Sequence, residues 1–166
     1  MLQVFLHNSM TTPSPPAYGE ELRAALADVQ AEDLEDIGWF RLSDGEEIQV
    51  LTEADDDICL IEYDRMTDAV AEVIFQIMRR TTSLVFLPGA YAFRVAGSAA
   101  EPIPDFALAF EAMGIGQFAN SEDLRDFFAA AGAEAPPVEP IAPAVGPRFE
   151  RSFGQRISDM LFGRPG

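Results

Sequence analysis

The sequence predicts an α+β fold: a mostly antiparallel sheet of short strands with about four helices packed on it, then a proline-rich spacer and a C-terminal amphipathic helix. Three observations carry this expectation. Short runs of strand-forming residues are separated by turn signals, longer stretches repeat apolar residues at helical spacing, and the two kinds are intermixed without the regular alternation of a doubly wound parallel sheet. At 166 residues one domain is expected, large enough to bury about two thirds of its unfolded surface without a disulfide or metal staple.

Leu2, Val4 and Leu6 alternate with Gln3, Phe5 and His7, which suits a short strand, and the prolines between 11 and 16 then mark a loop. Met10 offers a second start, which would make the first nine residues an extension, so residues 1–17 read as extended or loop-like. From 18 to about 33, Leu22, Ala25, Leu26 and Val29 recur at helical spacing behind Glu20 and Glu21. Residues 39–42, 48–51 and 58–63 read as an antiparallel meander, turned at Asp44-Gly45 and at the acidic triplet Asp55, Asp56, Asp57. Helix 67–80 is the clearest: Val70, Val73, Ile74, Ile77 and Met78 draw one stripe, with Asp68 and Arg79-Arg80 at the favourable dipole ends. Residues 83–87 and 91–96 flank Pro88-Gly89-Ala90 as a second hairpin. Pro104 opens a helix ending at Gly114, 115–118 is extended, and Ser121 caps a helix that stops at Gly132.

The expected organisation is an acidic α+β domain over 1–134, a spacer over 135–147 and a basic amphipathic tail over 148–166. Prolines at 136, 137, 140, 143 and 147 make the spacer extended and semi-rigid. Twenty-six of the 28 acids and seven of the 11 arginines precede residue 148, so that part carries −19 and the tail +2 within a total of −17. In the tail, Phe149, Phe153, Ile157 and Leu161 fall at steps of four, while Arg148, Arg151 and Arg156 fall largely elsewhere on the wheel. Those four apolar residues are the expected docking stripe, folding back onto the acidic domain or, exchanged between protomers, making a homodimer. No lysine occurs, and with 24 alanines and only two asparagines this fits a GC-rich bacterial genome.

The chemistry is constrained by shortage. There is one histidine, one cysteine and no phosphate loop or dinucleotide fingerprint, so no catalytic residue, cofactor or metal ligand set is assigned. Cys59, inside an apolar run, reads as a buried strand thiol. The acidic triplet lacks the alternating ligands, central glycine and late glutamate of a calcium loop. Carboxylate-only catalysis stays as an alternative, requiring a pair of acids in a real pocket with one proton affinity raised.

The acids concentrate between Glu20 and Asp57, fourteen against Arg23 and Arg41. Such a field repels nucleic acid and attracts basic protein surfaces. In size, acidity and mixed architecture the chain resembles two broad groups of bacterial binding proteins, immunity proteins that neutralise toxins and acidic chaperones of secreted effectors. The expectation that leads is an immunity or inhibitor protein whose acidic face plugs a basic site. Its candidate contacts are the loop acids Glu46, Glu47, Asp55, Asp56 and Asp57. The alternative is a chaperone or adaptor that binds through an apolar groove. The N-terminus lacks a basic start, and no stretch approaches membrane-spanning length, so a cytoplasmic location without membrane contact is expected.

Overall fold

The computed structural model describes residues 2–8, 18–35, 37–52, 58–86, 92–100, 114–129 and 139–140. The expected helix over 104–113, the acidic triplet 55–57, the turn at 88–90 and the tail 148–166 lie outside them. Among the described residues the fold is α+β, with three helices on a mostly antiparallel sheet. The strands are β1 (Leu2–Asn8), β2 (Glu32–Asp33), β3 (Trp39–Arg41), β4 (Glu47–Thr52), β5 (Ile58–Tyr63), β6 (Ser83–Phe86), β7 (Ala92–Val95), β8 (Gly114–Phe118) and β9 (Glu139–Pro140). Their spatial order is β2-β3-β4-β5-β1-β6-β7-β8-β9. The β3-β4-β5 meander and the β6-β7 pair are the antiparallel units expected from the turn signals. Only β7 and β8 pair in parallel among these strands.

Strand β1 lies in the middle of the sheet, hydrogen-bonded to β5 and β6 on its two sides. Val4 and Leu6 are fully buried, so a start at Met10 would delete a central strand together with part of the core. Sequence pattern predicts that a strand forms here but not where it goes, because its partners lie about fifty to eighty residues away and the pairing is non-local.

The helices are α1 (Tyr18–Asp28), α2 (Asp68–Thr81) and α3 (Ser121–Ala129). They share one face, with α2 between the others. The expected stripe of α2 is buried, Val70, Val73, Ile74, Ile77 and Met78 all at 0% exposure. The Thr67 hydroxyl accepts from Val70 N–H at 3.2 Å at its start, and Thr82, at φ 53°, ends it. Under it lie Val4, Leu6, Ile48, Val50, Cys59, Ile61, Tyr63 and Val85. Phe127 of α3 packs on Phe93 and Phe118 with ring centroids at 4.6 and 5.9 Å. Arginines tie the helices at their rims: Arg80 of α2 reaches Asp28 and Glu21 of α1, and Arg125 of α3 reaches Asp68 of α2 at 2.5 Å.

Two boundaries differ from the sequence expectation. Helix α1 stops at Asp28 rather than near residue 33, because Gln30 turns to φ 57° and residues 32–33 leave as the edge strand β2. Helix α3 is capped by Asn120, whose side chain accepts from Asp123 N–H at 2.9 Å, while the Asp123 carboxylate accepts from Ala119 N–H. At the far edge, Glu139 and Pro140 pair with Ile115 and Gly114 as β9. A proline is tolerated there because β9 is last in the order of the described strands, and an edge position does not require its missing N–H.

Candidate functional site

Strand alternation gives β3, β4 and β5 a second face, turned away from the helices. Across it, Trp39 pairs with Gln49, Gln49 with Glu62, and Glu62 with Gln3. The neighbouring row carries Arg41 opposite Glu47. A groove of about 320 Å³ opens here, lined by Trp39, Gly45, Glu46, Glu47, Glu62, Tyr63 and Asp64. One residue row further, Leu51, Leu60, Phe5, Phe86, Ala92 and Ile115 run across six strands. That apolar row is half-buried at Leu51 and Leu60 and buried from Phe5 onward. The second face is therefore divided: polar and open at the β3-β4-β5 end, apolar and buried toward β1-β6-β7-β8.

The sequence reading and the structure part company at Glu46. It was expected to be an accessible loop acid, yet it is 7% exposed and accepts from Arg65 twice, from the backbone N–H and from Nη2, both at 3.0 Å. The reason is the turn that carries it. Gly45 stands at φ 86°, Leu42 N–H donates to the Glu46 carbonyl at 2.8 Å, and Asp44 accepts from Glu46 N–H at 3.0 Å. This geometry folds the Glu46 side chain against the chain leaving β5. Burial pushes the Asp44 carboxyl up, but bonds from Thr67 and from the Glu46 amide, with the Arg65 charge, outweigh it and hold the group below its ordinary range. Asp44 and Glu46 together pin the β3-β4 turn to the start of α2.

Glu47, expected as a loop acid, is instead the first residue of β4 and is exposed. Its side chain is 45% exposed and bonded to Arg41 Nη2 at 2.8 Å. Arg41 also meets Glu32 at 3.5 Å, and its guanidinium proton is held more tightly than usual, chiefly by the Glu47 hydrogen bond and charge. The Asp55, Asp56 and Asp57 candidates lie outside the described residues, as do Phe149, Phe153, Ile157 and Leu161 of the tail. In their place the fold brings in Glu62 and Asp64 from β5 and its exit. Glu62 accepts from Gln3 Nε2 at 2.5 Å. With the Gln49 amide oriented to satisfy both neighbours, its oxygen accepts from Trp39 Nε1 and its nitrogen donates to Glu62, each at 3.1 Å. Trp39 is thus held by its edge while the ring stays half-exposed. Tyr63, the next residue along β5, is core; burial pushes its hydroxyl up to about 12.

Sequence reasoning missed Glu62, which lies inside a strand rather than in a turn. The signal was the alternation in Ile58, Cys59, Leu60, Ile61, Glu62, Tyr63: one acid at an outward position inside an apolar run. Gly38 is the position that fixes Trp39. At φ 76° a Cβ there would stand 2.4 Å from the Val50 carbonyl oxygen, so only glycine lets β3 approach β4 closely enough to set the indole over Gln49. Ile37, just before it, is 90% exposed.

A second cleft of about 330 Å³ lies on the helix side, lined by Asp28, Val29, Leu42, Ser43, Asp44, Ala69, Glu72 and Gln76. The carboxyl there whose proton affinity is displaced, Asp44, moves down, opposite to what a general acid requires. Among the described residues no group of three or more His, Cys, Asp and Glu is arranged to hold a metal ion, and no helix is long and apolar enough to cross a membrane. Comparisons with family models, with curated proteins and with solved structures return no match to this chain.

Proposed function

We propose that this is a protein-binding domain whose open sheet face, around Trp39, Glu47, Glu62 and Asp64, receives a basic surface of another protein, in the manner of an immunity or inhibitor protein. The observation that carries the reading is the division of one sheet face, because carboxylates and a half-exposed tryptophan are concentrated where no described helix covers the strands. Electrostatic steering toward a face carrying Glu32, Glu47, Glu62 and Asp64 against Arg41 would accelerate encounter with a cationic partner. The indole offers the apolar and cation-accepting anchor that binding hot spots need. Exposed Ile37 extends that anchor beyond the groove.

The test uses two tagged baits, the wild type and Glu47→Lys/Glu62→Lys, in the native lysate at low salt with elution by a salt gradient. A stoichiometric basic protein held by the wild type, released by moderate salt and absent from the variant is the expected result. An apolar client that survives high salt and binds both baits equally would replace this reading with a chaperone or adaptor.

A further inference from the structure

The last described strand says where the rest of the chain begins. β9 runs antiparallel to β8, and its last residue, Pro140, lies opposite Gly114. Following the registers from strand to strand, Glu139 stands level with the row Ile115, Ala92, Phe86, Phe5, Leu60 and Leu51. From Glu139 to Pro140 the strand therefore runs toward the next row on that side, which is Gln3, Glu62, Gln49 and Trp39. That is the end of the sheet at which the acidic groove opens.

The reach also fits. β5 lies five strands from β9, roughly 24 Å at ~4.8 Å per strand. Residues 141–148 include Pro143 and Pro147 and, if extended as proline-rich segments are, would span roughly 25 Å at ~3.1 Å per residue. A chain of that length is long enough to bring Arg148 to β5, the first of a basic series, Arg148, Arg151 and Arg156, interleaved with Phe149 and Phe153.

We infer that the segment 148–166 of the same chain occupies the acidic groove, setting its arginines against Glu47, Glu62 and Asp64 and its phenylalanines beside Trp39. This rests on the reading of that face as a cation-binding surface and adds a consequence: the tail is a built-in competitor that a partner must displace. Intramolecular attachment gives the tail a high effective concentration, so even weak contacts hold it.

Trp39 is the chain's one tryptophan and reports on the groove directly. In the full-length protein, acrylamide quenching of Trp39 should rise about twofold on Arg148→Glu/Arg151→Glu/Arg156→Glu, as a covered indole becomes open on one side, and should rise likewise in the wild type at high salt. Adding Glu47→Arg/Glu62→Arg to that triple variant should restore protection by charge swap. Equal quenching of the wild type and the triple variant would overturn the proposal. Protection that depends on protein concentration, with dimer in sedimentation, would overturn it in favour of a second copy. Octa-arginine separates the two readings: if it protects Trp39 in the triple variant while wild type and variant match, the tail assignment falls and the cation-binding face stands.

Discussion

Strands β4 and β5 are two regions in one, and the comparison of their sides is instructive. Toward the helices they present Ile48, Val50, Cys59, Ile61 and Tyr63, all buried; on the reverse, one residue along, they present Glu47, Gln49 and Glu62. The same backbone hydrogen bonds serve both sides, so the difference is purely one of side chains. Stability is invested on the buried side, and under the proposed function recognition falls on the other, so a substitution should affect one property with little effect on the other.

The most severe way to break the comparison is to remove residues 1–9. This deletes β1, the strand that joins β5 to β6. Circular dichroism and gel filtration should find no cooperatively folded monomer, whereas a normal melt would refute the central placement of β1. Next, Ile61→Ala on the buried side should cost about 2–5 kcal/mol in urea denaturation, as lost transfer energy and a cavity add.

His7 gives a pH-dependent test. It is 1% exposed, edge-to-face with Phe86, and burial lowers its proton affinity from 6.5 to about 4. Between those values the unfolded chain binds a proton that the folded chain refuses, so stability falls as pH drops from 6.5 toward 4, by about 3 kcal/mol in total. His7→Phe lacks this loss. The stability of the variant relative to wild type should therefore increase by that amount between pH 7 and pH 4, and parallel curves would show that His7 titrates normally.

The smallest effects sharpen the contrast between adjacent acids. Glu46→Ala removes a buried acceptor of two Arg65 bonds and should cost about 1–3 kcal/mol. Glu47→Ala removes an exposed pair and should change stability by no more than roughly 0.5 kcal/mol. Equal thermal shifts for the two would abolish the distinction between a structural acid and one free of a structural role.

These neighbours also explain what the sequence could disclose. The elements were legible because each has a local cause: the apolar stripe of α2, the Asp44-Gly45 turn, the alternation in β1. Placement was not, since β1 enters between β5 and β6 through pairings remote in sequence, and β8 joins β7 in parallel. Exposure was legible at Glu47 and illegible at Glu46 for one reason. Exposure of a turn acid is decided by the turn's geometry and by what lies across from it, here Arg65, nineteen residues away. Glu62 and Trp39 were visible as residues, but their meeting depends on the β3-β4-β5 register.

The central claim is that cations are received on the open side of β3-β4-β5. Amide chemical shifts recorded while octa-arginine is titrated into the triple tail variant test it most directly. The account predicts perturbations centred on Trp39, Glu47, Gln49, Glu62 and Asp64, with α1 and α3 little changed despite their own acids. Shifts spread evenly over Glu20, Asp28, Glu122 and Asp126 would contradict it, reducing the negative charge to a general solubilising coat.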